Sequence, residues 1–256
     1  MRLIRYVLMS FLFLSGHSAA EITSIEHAIN TASHQSMLTQ QMLKDYMLIG
    51  LSVRGRKAEQ ELAESIDDYE ETQKLILDYA KTDAEKQALK RAVDQWEVVK
   101  PLYLAKPTRE KATEVRQATE LLLQQWSAVT MEIVENNDSR FGKVISTAGF
   151  VRMLAQRVTS HYALRAWGFQ DEYSEAFISS LQLFEQNRSE LEGDPLNNDQ
   201  IKAELSKIQR DFKRFKGLSD SASDKGRLAL VVRSAEKITT SMDKVTAMYV
   251  YQGLSF

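Results

Sequence analysis

Residues 29–48, INTASHQSMLTQQMLKDYML, return in altered form 116 residues later as ISTAGFVRMLAQRVTSHYAL. Eight positions coincide: Ile29, Thr31, Ala32, Met37, Leu38, Gln40, Tyr46 and Leu48 fall on Ile145, Thr147, Ala148, Met153, Leu154, Gln156, Tyr162 and Leu164. The correspondence continues downstream. SIDDYEETQKLI from Ser65 matches SLQLFEQNRSEL from Ser180 after a slip of one residue, and LKRAVDQWEVVKPL from Leu89 matches LSKIQRDFKRFKGL from Leu205. Glu120, Val129 and Thr130 then meet Glu236, Val245 and Thr246. Four matches in the same order point to a tandem duplication, which restricts the chain to folds that can be written twice.

Long runs of Ala, Leu, Gln, Glu and Lys favour helix, and alternation of β-branched residues is nearly absent, so the fold class expected is all-α. Only 10 glycines and 3 prolines interrupt 256 residues. Each copy divides into four helical segments, at 22–56, 58–81, 84–104 and 109–138, then 141–169, 171–193, 197–217 and 224–252. The breaks carry turn chemistry: KTDAEK offers Asp83 as a cap, Pro107 precedes a helix, and EGDPLNND combines Gly, Pro and Asn. Short loops make neighbours antiparallel, giving two tandem up-down four-helix bundles, 21–138 and 139–256. The link ENNDSRFG is ambiguous. As a turn it sets the bundles side by side; as helix it makes one rod from about 109 to 168 and sets them end to end. Asn136 and Asn137 weigh only slightly toward a break, and the continuous or gently kinked helix is the expected form.

Residues 1–20 have the layout of a cleavable export signal: Arg2 and Arg5, the apolar run YVLMSFLFLSG, then SAA before Glu21. A periplasmic location is therefore expected. Without Arg2 and Arg5 the chain holds 31 basic and 35 acidic residues, and no basic stripe points to nucleic acid. The chain has no cysteine, so disulfides, thiolate metal sites and thiol nucleophiles are excluded. His27 and His34 lie seven apart, whereas a helical metal pair needs three or four, and no metal or other cofactor is expected. No Ser-His-Asp order, Glu-x-x-His pair or glycine-rich phosphate loop is present, so a non-enzymatic role is expected.

Val144, Ala148, Val151, Ala155, Val158 and Tyr162 recur at gaps of four and three, which makes a core stripe; Ala28, Ala32, Gln35, Thr39, Met42 and Tyr46 repeat it in more polar form. Beside it lie Gly149, Arg152 and Gln156 on one narrow face. A glycine permits close approach to the backbone, and a guanidinium presents planar charged donors, so this face suits a small oxyanion. The same residues equally suit tight helix packing at Gly149 and an ion pair between Arg152 and a neighbouring carboxylate. The Met-rich QQMLKDYMLIGL reads either as core or as an adaptable partner surface. Trp96, Trp126, Phe184 and Phe212 read as core, and Asp67, Asp68, Glu70 and Glu71 as solvated faces.

The succession Ala148-Gly149, Arg152-Met153-Leu154, Gln156-Arg157 and Tyr162 resembles the signature helix of the PilJ-type domain, the N-terminal domain of type IV pili methyl-accepting chemotaxis transducers. Such domains are similar to the periplasmic input domains of nitrate- and nitrite-responsive kinases, in which an arginine from each of two subunits clamps the anion. The resemblance implies a ligand-binding role for Gly149, Arg152 and Gln156, with Ser33, Ser36 and Gln40 at the equivalent positions of the first copy. With Ser36 in place of an arginine, only a homodimer through two second copies would restore the pair. The functional expectation is a detached input domain that binds a small anion such as nitrate or nitrite and reports to a membrane signalling partner. The alternative is a structural adaptor holding other envelope proteins.

Overall fold

A computed structural model describes residues 21–137, 139–219 and 223–255; the expected export signal lies outside these residues. Eight helices and no strands occur among them: α1 (Ile25–Gly50), α2 (Gly55–Tyr79), α3 (Asp83–Leu104), α4 (Arg109–Glu135), α5 (Gly142–Ala166), α6 (Gln170–Glu192), α7 (Asp199–Ser219) and α8 (Lys225–Gly253). The chain is all-α. None of these helices is long and apolar enough to cross a membrane. The offset of 116 reappears in the helix starts, from Asp83 to Asp199 and from Arg109 to Lys225.

The helix ends follow local chemistry. Thr82, rather than Asp83, caps α3: its hydroxyl accepts from the Glu85 amide while the Glu85 carboxylate accepts from the Thr82 amide. Ser24, Thr108 and Asp224 cap α1, α4 and α8 in the same way through their side-chain oxygens.

Within each set of four, the first helix packs on the second and fourth, and the third on the fourth. The second and third helices stand further apart, and large rings fill the gap. Tyr69 and Trp96 lie 4.1 Å apart between centroids, and Phe184 and Phe212 lie 4.3 Å apart at the corresponding positions. All four rings are buried. The core stripe is buried in both copies, including the polar Gln35 and Thr39 of the first. Met42 and Met47 are core as well.

The two sets lie side by side, so the continuous rod does not form. Helix α4 stops at Asn136, whose amide donates to Glu132 O, and Asn137 Nδ2 donates to Ile133 O at 2.8 Å. The first is an ordinary helical bond; the second puts a side chain on the carbonyl that the Asn137 amide would use in a continuing helix. Ser139 Oγ then donates to Glu26 Oε1 at 2.8 Å, tying the turn to the start of α1. The gain that outweighs helix continuation is the contact between α1 and α5, the most extensive in the molecule. The two helices run parallel: Ile29 meets Gly142, Ser33 meets Gly149, Gln40 meets Ser160, and Gly50 meets Trp167. A Cβ at Gly50 would lie 1.9 Å from the Trp167 ring, so the indole packs directly on the Gly50 backbone. Each central helix is thus covered on nearly every side, which is why neither shows a wide polar face. Two ion pairs, again 116 residues apart on their acidic side, fasten the sets: Arg157 to Glu120 at 2.8 Å and Arg54 to Glu236 at 2.7 Å.

Candidate functional site: a cavity beside the junction of α1 and α5

Ser33 and Gly149 are equivalent residues of the two copies, and they touch. A Cβ at Gly149 would sit 2.3 Å from Ser33 Cβ, so glycine here serves close helix packing. The two sides of this contact present the same positions with different residues.

On one side the space is filled. Arg152, 3% exposed, donates from Nη1 to Asp243 Oδ1 on α8 at 2.9 Å and from Nη2 to Asn30 Oδ1 on α1 at 3.4 Å. Nearby, His34 Nε2 and Asp68 Oδ2 are 2.8 Å apart, a contact that holds the Asp68 carboxyl below the usual range. The guanidinium is therefore enclosed and its charge engaged. Gln156 lies one turn on and donates to Thr239 Oγ1 at 3.0 Å.

On the other side the positions of Arg152, Asp243 and Asn30 are held by Ser36, Ser127 and Ser146. Three short hydroxyl side chains replace an ion pair and an amide, and a cavity of about 300 Å³ results. Ser33, Thr130, Thr147, Gly149, Phe150, Met131 and Asn187 complete its wall. The volume falls at the lower end of small-molecule sites. Ser127, Thr130 and Thr147 each donate to a carbonyl one turn back on their own helices, leaving their oxygens to accept. Ser33 Oγ, on a residue 3% exposed, is buried without a partner. No charged side chain lines the cavity.

Of the residues singled out by sequence, the cavity gathers Ser33, Ser36 and Gly149. Arg152 lies against α8 instead, and Gln156 and Gln40 stand outside the wall; Gln40 Oε1 accepts from Ser160 Oγ at 3.4 Å. Ser127 and Ser146 are the residues that sequence reasoning passed over. The signal for them was available: applying the offset of 116 to Asp243 and Asn30 yields them directly.

Other buried titratable groups lie one to two turns further along the same pair of helices. Asp45, with Lys44 Nζ at 3.1 Å, is completely buried, and desolvation raises its carboxyl to about 7 against the pull of Lys44. His161 holds the equivalent position in α5; burial lowers it to about 3, aided by the charges of Arg157 and Arg116. Among the described residues no group of three His, Asp or Glu side chains could hold a metal ion. Comparison with family models, curated proteins and solved structures returns no match for this chain.

Proposed function

We propose that this chain is an exported ligand-sensing module whose ligand sits in the cavity between α1, α4 and α5. The observation that carries the reading is the asymmetry about Ser33 and Gly149: one side is plugged by Arg152, Asp243 and Asn30, while the matching side is open and lined with hydroxyls. A duplicated scaffold that fills a space in one copy and empties it in the other has room for a guest without loss of its own core. The resemblance of α5 to the signature helix of PilJ-type domains supports a sensory role, and the placement at the contact of the two sets supports signalling, since a guest there touches helices of both. The oxyanion version finds less support, because the Arg152 charge is already engaged by Asp243. Acceptor oxygens without a charged neighbour favour a small uncharged molecule with its own N–H or O–H donors.

The test is a thermal-shift screen of small polar neutral compounds, with nitrate and nitrite alongside. A hit should be lost in Ser36→Arg/Ser127→Asp, which rebuilds the plug of the opposite side. A response to nitrate that disappears in Arg152→Ala would instead favour the anion site.

A structural adaptor is the second reading. Val98 and Leu121, on α3 and α4, are 56% and 49% exposed, an apolar surface that a partner could cover.

A further inference from the structure

The outer face of α7 and α8 is strongly basic. Lys207, Arg210 and Arg214 follow one another at gaps of three and four on α7, and Arg233, Lys237 and Lys244 at gaps of four and seven on α8. Each row therefore lies along one side of its helix, over roughly 10 Å on α7 and 16 Å on α8. Five of the six line an open groove of about 630 Å³ between the helices, and Arg214 continues it into a smaller neighbouring recess.

The local acids do not balance this charge. Glu236, in the groove, is engaged by Arg54 at 2.7 Å from the other set. Lys207 has Glu204 one turn away at 3.6 Å, and Asp211 is the remaining carboxylate of the groove. Among the described residues, Arg210, Arg214, Arg233, Lys237 and Lys244 carry no ion pair. The chain as a whole is slightly acidic, at −2, so the cations are concentrated here rather than general.

The first copy supplies an internal control. Its equivalent positions are Arg91, Asp94, Val98, Gln117, Leu121 and Ala128, one charge of each sign and otherwise neutral. Helix packing in this scaffold therefore does not require the cations.

We infer that the α7–α8 groove docks an extended acidic segment of a partner polypeptide. A concave channel between two helices admits a single chain, whereas a flat bilayer would meet only the rims. Thr240, exposed and already donating to Glu236 O, adds an acceptor oxygen for a peptide N–H. Carboxylates spaced along an extended chain match two rows of cations, and complementary charge sets both the register and the speed of association.

The full chain should be titrated with a fluorescent decapeptide alternating Glu and Ser, followed by anisotropy, beside vesicles of phosphatidylglycerol. Arg233→Glu/Lys237→Glu and, independently, Arg214→Glu/Lys244→Glu should each weaken peptide binding about tenfold or more. Gln117→Glu/Gln124→Glu, on the equivalent face of the first copy, should change it less than about twofold, and added salt should weaken it steadily. Circular dichroism will show that these surface variants remain helical. Absence of peptide binding, equal loss in the first-copy variant, or binding to vesicles alone overturns the inference.

Discussion

Ser33 and Gly149 occupy the same position in the two copies and meet each other across the α1–α5 contact, where an added Cβ would come within 2.3 Å of Ser33 Cβ. Any side chain at 149 must push the central helices apart, because the obstructing atom is itself a Cβ on a rigid helix. Gly149→Ala should therefore destabilise by about 1–3 kcal/mol, despite the gain in helix propensity. Ser33→Gly should restore most of the loss when combined with it, a coupling that a double-mutant cycle in urea denaturation measures. Additive effects would sink the contact.

The ion pair between Arg152 and Asp243 predicts unequal losses. Arg152 is 4% exposed along its side chain and Asp243 is 48% exposed. Asp243→Ala strands a buried guanidinium with only Asn30 as partner and should cost about 3 kcal/mol or more. Arg152→Ala leaves a carboxylate that water can reach, and should cost about 1–3 kcal/mol, mostly through the emptied space. Urea midpoints in the reverse order would contradict the enclosure of Arg152.

Tyr69 links two core rings in the first set: its hydroxyl accepts from Trp126 Nε1 at 2.6 Å, and its ring lies against Trp96. The second set has Phe184 and Met242 at these positions, with no polar atom to satisfy. Tyr69→Phe should therefore cost about 1–3 kcal/mol by stranding the indole N–H. In Trp126→Met the same Tyr69→Phe change should cost less than about 1 kcal/mol, which chemical denaturation of the four proteins will resolve.

Helix order and the core stripe were legible in the sequence because apolar spacing and turn chemistry are local signals. The placing of the two sets was not. Helix α1 hides its near-complete burial behind Gln35, Lys44 and Asp45, residues that ordinarily mark a wet face. The link reveals its stop only through the Asn137 side chain, which occupies the Ile133 carbonyl. Arg152 offered either an anion site or an ion pair; its carboxylate is 91 residues away, beyond any spacing rule. The cavity is written in three serines from three helices, none distinctive alone, and only the comparison with Arg152, Asp243 and Asn30 makes them a set.

Asp45 and His161, equivalent positions of the two copies, predict opposite slopes of stability with pH. Burial, aided by the Glu61 carboxylate on α2, holds Asp45 protonated up to about 7 against the cations of Lys44 on α1 and Arg54 beyond it. Between about pH 4 and 7 the unfolded chain has lost this proton and the folded one keeps it, so Asp45 makes stability fall as pH rises. His161 is neutral when folded down to about 3, under desolvation and the charges of Arg157 and Arg116. Between about pH 3 and 6.5 the unfolded chain is the more protonated, so His161 makes stability rise with pH. The two contributions, each on the order of a few kcal/mol, oppose one another from about pH 4.5 to 6.5. Asp68 and Glu70, both lowered by hydrogen bonds to basic partners, titrate below that window. Urea denaturation should thus give the unmodified chain a shallow profile there. Asp45→Asn should acquire a positive slope and His161→Gln a negative one. Two variants with the same shallow profile as the parent would show that these groups are not held in the forms their burial dictates.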